Sequence, residues 1–269
     1  MREHKNKQVK IGIFDSGLGG LTVVRSIISK LHGAEIIYMA DTAYAPYGDK
    51  STEQIVQRSL AITSYLINNH KIDALVIACN SATSAAISII RQKYPKLPIV
   101  GTEPGIKPAL KASKSGNVGV MATSTTLKGE KYQQLADRLT QKEKQVKLFE
   151  QACPGLVEQI ESGKLNDKKT YDMLKHWLHP MKKAGVDTIV LGCTHYPIAS
   201  KQIREIMGNE VVLIETGNAI AERLKNLLGD TKKSKDSSLS LYASSKIDGK
   251  IADMVLERGT SFTKVEIKS

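Results

Sequence analysis

Short apolar runs give way to longer stretches of helical periodicity almost from end to end of this chain. The apolar runs predict strands over 9–14, 35–40, 74–78, 99–101, 117–122, 145–150, 188–192 and 211–214. Between them, apolar positions three and four apart predict amphipathic helices over 21–31, 51–69, 81–93, 127–139, 167–184 and 216–228. Strands alternating with helices in this way imply an α/β fold with mostly parallel sheets. Past 230 the rhythm changes. A lysine- and serine-rich linker or exposed loop over 231–238 leads into strands at 239–243 and 262–267, which flank a short helix over 247–256.

Two of the strands read as versions of one another. Ala74-Leu75-Val76-Ile77-Ala78-Cys79-Asn80-Ser81 and Thr188-Ile189-Val190-Leu191-Gly192-Cys193-Thr194-His195 each run from apolar residues to a small residue, a cysteine and two polar residues. That is the pattern of a buried parallel strand delivering a thiol at its carboxyl end. A second pair precedes them in the same order: Lys10-Ile11-Gly12-Ile13-Phe14-Asp15-Ser16 and Asn117-Val118-Gly119-Val120-Met121-Ala122-Thr123. The pairs imply an internal duplication, hence two similar α/β domains whose strand ends face one cleft, with chance likeness between buried strands as the alternative. Matched thiols suit chemistry that needs a reactive group on both sides of one substrate atom.

Composition narrows the class. A chain of 269 residues, 41% hydrophobic and 25% charged, has the make-up of an ordinary globular protein able to bury a sizeable core. No apolar stretch approaches the ~20 residues of a membrane span, and the polar start of the sequence is no secretory signal, so no membrane association is expected. Three widely spaced cysteines make no disulfide framework and point to a cytoplasmic protein with free thiols. The formal charge of +12 raises the question of nucleic acid. However, the denser lysines (Lys142, Lys144, Lys147; Lys232, Lys233, Lys235) are not interleaved with aromatics. A solvated basic surface that attracts anionic ligands fits better than specific nucleic-acid binding.

Several residues could carry chemistry. Asp15 ends the first strand and leads the turn Ser16-Gly17-Leu18-Gly19-Gly20, which suits either an anion at a helix start or a mere tight turn. Asp15 itself could orient or deprotonate a partner. Cys79 and Cys193 sit where strands end, near amides that ease ionisation of a thiol. Asn80, Ser81, Thr194 and His195 offer hydrogen bonds to carboxylates. His195 has three readings: a general acid beside Cys193, a metal ligand, or a core histidine. Metal is the weakest, for want of further ligands nearby, and no metal site is expected. Cys153, capped by Pro154 and Gly155, reads as structural; the polar loop Asp41 to Asp49 and Glu161 read, in isolation, as surface features.

Taken together these motifs resemble glutamate racemase. Those that carry the likeness are Phe14-Asp15-Ser16-Gly17-Leu18-Gly19-Gly20, Ala40-Asp41-Thr42 with Pro46-Tyr47-Gly48, Ala78-Cys79-Asn80-Ser81-Ala82, Glu103-Pro104, and Gly192-Cys193-Thr194-His195-Tyr196-Pro197. The resemblance implies cofactor-independent interconversion of L- and D-glutamate, supplying D-glutamate for bacterial peptidoglycan. It also implies two α/β domains with the active site between them: an inserted domain at 102–208, and an outer domain made of 1–101 plus 209–269. By the same resemblance Cys79 and Cys193 are the acid/base thiols, assisted by Asp15, Glu161 and His195. Asp15, Ser16, Tyr47, Gly48, Asn80, Ser81, Thr194 and His195 hold the substrate. Glutamate is then the small-molecule partner, and a homodimer is left open.

The likeness has departures. Tyr44 stands where the family usually has arginine, and Glu158 where it has a second proline, which leaves Glu158 a rival to Glu161 behind Cys193. Ile214-Glu215-Thr216-Gly217 replaces a usual aspartate and serine. Rival readings are an aspartate racemase on the same scaffold, a cysteine hydrolase using one thiol with His195, and a basic binding module.

Overall fold

The computed structural model describes residues 8–103, 105–142, 146–229 and 236–267. The amino-terminal segment, Pro104, Lys144, and the 231–235 part of the expected linker with its three lysines lie outside the described residues.

The predicted alternation forms two parallel sheets, each in the middle of a helical sandwich. The first contains β1 (Lys10–Asp15), β2 (Glu35–Ala40), β3 (Ala74–Ile77), β4 (Ile99–Gly101), β9 (Ser238–Ala243) and β10 (Phe262–Lys264), in the order β10-β9-β2-β1-β3-β4. The second contains β5 (Asn117–Ala122), β6 (Lys147–Ala152), β7 (Thr188–Gly192) and β8 (Val212–Ile214), in the order β6-β5-β7-β8. Its four strands repeat the sequence-relative order of β2-β1-β3-β4, and every pairing is parallel.

Strand alternation sorts the core. Ile11, Ile13, Ile36, Tyr38 and Val76 face α1 (Leu21–Lys30), α10 (Gly217–Leu228) and α11 (Lys250–Leu256). Phe14, Ile37, Met39, Leu75 and Ile77 face α2 (Thr52–Tyr65) and α3 (Asn80–Lys93). In the second lobe Val118, Val120 and Val190 pack on α4 (Ile106–Ala112) and α6 (Glu130–Lys142), with α5 (Ser124–Lys128) just before α6. Met121, Ile189 and Leu191 pack on α7 (Leu156–Glu161), α8 (Lys168–Lys183) and α9 (Ser200–Met207).

Three expectations change. The expected boundary at 208/209 falls inside the second lobe, because β8 pairs with β7, Thr188 opposite Val212, and the chain leaves this sheet only after Ile214. The predicted helix over 51–69 ends as α-helix at Tyr65 and continues as one wider π-type turn, Leu66–His70, closed by Lys71 at φ 54°. The predicted helix over 127–139 is two helices, α5 and α6, meeting at Gly129.

Candidate active site

In both lobes the first strand lies between the next two, β1 between β2 and β3 and β5 between β6 and β7, so the connections leave in opposite directions from β1 and β3, and from β5 and β7. Open parallel sheets bind ligands outside the strand ends at such a reversal. Asp15 ends β1 and Cys79 lies just past β3; Thr123 and Cys193 follow β5 and β7. The two sets of strand ends face each other across one cleft.

Cys79 caps α3, accepting from Ala82 N–H at 3.5 Å, and its thiol points to Ser16 Oγ at 3.7 Å. Burial, with the charge of Asp15 beside it, pushes this thiol up to about 12. Asp15 is buried and accepts from the amides of Gly17 and Gly20, both at 3.1 Å. Burial raises its pKa, against the pull of charged His195 and of those two amides.

Cys193 Sγ lies 3.7 Å from His195 Nδ1, and the other ring nitrogen, Nε2, lies 2.8 Å from Glu161 Oε1. Burial of the ring disfavours its charge, yet the contacts with Cys193 and Glu161 outweigh burial and hold it well above the ordinary imidazole value. Glu161 is correspondingly lowered: burial opposes its charge, but the bond to His195, that ring's charge and the Leu18 amide at 2.8 Å prevail. Gly19 N–H points at the same Nε2 at 3.1 Å, an approach that suits an unprotonated nitrogen. Glu161 and Gly19 therefore favour opposite protonation states of one atom. Glu158 is exposed on the same helix, α7, and among the described residues makes no hydrogen bond or ion pair with His195 or Cys193.

The lobes touch through short polar contacts. Thr194 Oγ1 donates to Asp15 Oδ1 at 3.1 Å, Thr22 Oγ1 to the Thr194 carbonyl at 3.2 Å, and Thr125 Oγ1 to the Gly48 carbonyl at 2.9 Å. Ser81 and Thr123 hydroxyls meet at 3.0 Å. The glycine loop needs its small residues here. A Cβ on Gly19 would stand 2.5 Å from His195 Nδ1, and one on Gly17 1.9 Å from Glu161 Oε1.

A cavity of about 10 Å³ remains between the lobes, lined by Ser16, Pro46, Tyr47, Gly48, Cys79, Asn80, Ser81, Thr123, Val157, Cys193, Thr194 and His195. Every expected substrate-holding residue lines it except Asp15, which is fully buried, with its charge felt by Cys79. Glu161 stands behind His195. Asn80 Oδ1 is buried without a hydrogen-bond partner among the described residues. A larger cavity, about 430 Å³ and edged by Arg91, Lys107, Lys131 and Arg138, shares Asn80 with this one but contains neither thiol.

Sequence reasoning passed over Thr123, Val157, Thr22 and the amides of Leu18 and Gly19. For Thr123 a signal existed, since the matched strands place Ala122-Thr123 opposite Asp15-Ser16. Thr22 and the Leu18 and Gly19 amides come to the site through contacts between segments more than a hundred residues apart, which no local pattern encodes.

Known proteins share this fold and much of this sequence. The family described as Asp/Glu/Hydantoin racemase matches residues 11–224. A glutamate racemase from Sulfurovum sp. (strain NBC37-1) is 53% identical over 264 residues, covering 97% of this chain and 99% of the relative. The crystal structure of a glutamate racemase isoform from Bacillus anthracis superposes with a TM-score of 0.85 at 30% identity, over 98% of this chain and 99% of that one. A glutamate racemase from Francisella tularensis, solved in complex with D-glutamate, gives 0.81 at 26% identity over 97% and 98%. The chain belongs to the Asp/Glu/hydantoin racemase family, among its glutamate racemases.

Proposed function

We propose that this racemase inverts glutamate with two thiols, Cys79 and Cys193, one removing the α-proton while the other returns a proton to the opposite face. The observation that carries this reading is their placement: equivalent strand ends of two like sheets, on two lobes, lining one cavity. A single base on one face would return its proton to that face and regenerate the same enantiomer. With two, one is thiolate while the other is thiol, and turnover leaves them exchanged.

By likeness to the family, Cys79 takes the proton of D-glutamate and Cys193 that of L-glutamate. The raised pKa of Cys79 suits the thiol that donates when L-glutamate is the substrate. His195, held by Glu161, assists Cys193, and Asp15 assists Cys79. The α-proton of an amino acid is very weakly acidic, and each ~1.4 kcal/mol taken off the barrier is about tenfold in rate. Hydroxyls of Ser16, Ser81, Thr123 and Thr194, the Tyr47–Gly48 wall and the unpaired Asn80 oxygen supply polar partners for two carboxylates and an ammonium in a dry cleft. A cavity of about 10 Å³ has room for about one water. Substrate therefore enters by parting of the lobes.

The reading extends to a cytoplasmic supplier of D-glutamate for peptidoglycan, needing no cofactor. Three free cysteines suit a reducing compartment. The test is deuterium uptake from solvent at the α-carbon of each glutamate enantiomer, with no cofactor added and aspartate assayed alongside. Label in the inverted product, lost in both Cys79→Ala and Cys193→Ala, is expected. Inversion that survives in either variant refutes the two-thiol scheme, and faster inversion of aspartate refutes the substrate.

A further inference from the structure

Behind the Tyr47 wall of the cavity lies a buried polar cluster that the racemase chemistry leaves unused. Asp41 follows β2; its amide donates to the Asp15 carbonyl at 2.9 Å, which fixes it beside the end of β1. Its carboxylate receives three bonds: Tyr47 Oη at 2.5 Å and Arg58 Nε at 2.8 Å on Oδ2, and Arg58 Nη2 at 2.8 Å on Oδ1. Arg58 projects from α2 and is buried, at 3% exposure, with its guanidinium 4.1 Å above the Tyr44 ring. Its remaining terminal nitrogen, Nη1, donates to the carbonyl of Ile267 at 2.6 Å. Ile267 is itself buried, packed in the same core cluster as Ile55 and Phe14. The segment that delivers it leaves β10 with Val265 N–H on the Ala243 carbonyl at 2.9 Å.

We infer that Arg58 is a positioning residue for the substrate-holding turn, acting through Asp41 on Tyr47, and that the segment after β10, through the Ile267 carbonyl, completes the same framework. A planar fork on a carboxylate sets orientation as well as charge, which a lysine at the same place does not. With the fork in place, Asp41 presents one oxygen edge to the tyrosine, and the phenol cannot swing. Tyr47 and Gly48 then meet the second lobe, where Thr125 Oγ1 holds the Gly48 carbonyl. A segment near the carboxyl terminus, outside the cavity lining, is thus tied to the wall that faces substrate.

The inference rests on the racemase reading, so wild-type turnover and glutamate binding by calorimetry are measured first. A wild type that neither turns over nor binds glutamate overturns both. Arg58→Lys is expected to raise KM and the Kd for D-glutamate about tenfold with a smaller change in kcat, since misplacing a contact by a fraction of an ångström weakens binding on that scale. In a Tyr47→Phe background the same substitution changes KM by less than about twofold, because the phenol that transmits it is gone. Equal effects in both backgrounds, or no KM change in either, overturn the inference. Should Arg58→Lys not fold, two truncations decide. Ending the chain at Ile267 is expected to leave KM unchanged and ending it at Glu266 to raise it; identical KM values in the two overturn the inference.

Discussion

Thr194 of the second lobe donates to the carboxylate of Asp15 on the first, 3.1 Å away, and so joins the neighbour of one thiol to the partner of the other. The family resemblance assigns Asp15 to Cys79 and His195 to Cys193, and both side chains are held from both lobes: Asp15 by Gly17, Gly20 and Thr194, His195 by Glu161 and the Gly19 amide. Their environment is complete only where the lobes meet.

Asp15 carries a cost in stability. Its folded pKa is raised, mainly by burial, so its favourable contribution is full below the unfolded value of about 3.9 and is lost as pH rises through the folded value. At neutral pH the ionised form is therefore a burden. Asn at this position can accept from Gly17 and Gly20 and donate to Thr194. Asp15→Asn is expected to raise the thermal midpoint at pH 7 by about 2–4 °C while lowering kcat. Calorimetry and the racemisation assay on one preparation check it; a lower midpoint contradicts it.

Gly19 is a wedge site. The Cβ of Gly19→Ala would sit 2.6 Å from the backbone nitrogen of His195, which cannot swing away as a side chain can. The lobes would be held apart, and kcat/KM is expected to fall about 100-fold. The fall must be equal from either enantiomer, since their equilibrium constant is unity. Near-native unfolding temperature alongside that loss would show that the defect is in closure.

The two glutamates on α7 separate cleanly. Glu161→Gln removes the charge that stabilises imidazolium, so the histidine limb of the pH–rate profile should move to lower pH, with a loss of about tenfold or more in kcat/KM. Glu158→Gln, at an exposed position, should leave both within about twofold. A reversed pattern would put Glu158 behind Cys193.

Asp187 makes an acid-sensitive clamp at the opposite end of the second sheet. Partial burial works against its charge, but bonds from Ser113, the amides of Ser115 and Lys114, and Thr188 bring it to about 2. A depressed pKa contributes stability above the unfolded value of about 3.9, lost as pH falls through the folded value. Asp187→Asn should be less stable than wild type at pH 7, and the gap should close as pH approaches about 2. Urea unfolding across that range measures it, and a constant gap would exclude the linkage.

Local pattern determined much of this protein. Apolar strands with a single hydrophobic period identified β1, β3, β5 and β7, and the cysteine at the end of two of them marked the candidate site, because strand direction fixes where a terminal residue emerges. Likewise the helix starts at Leu21 and Asn80 follow from small and polar residues after those strands.

What local pattern left open was decided by packing across long separations. The boundary after Ile214 depends on an edge hydrogen-bonded to β7, and an isolated three-residue strand carries no mark of its sheet. The choice of Glu161 over Glu158 is a matter of which face of α7 turns toward His195. Arg58 shows this most clearly: on sequence it is one basic residue of an amphipathic helix, and only in the fold do Asp41, Tyr44 and Ile267 converge on it. Hydrophobic periodicity specifies which face of an element is buried; the partner it meets there is set by packing between segments far apart in sequence, which no local pattern encodes.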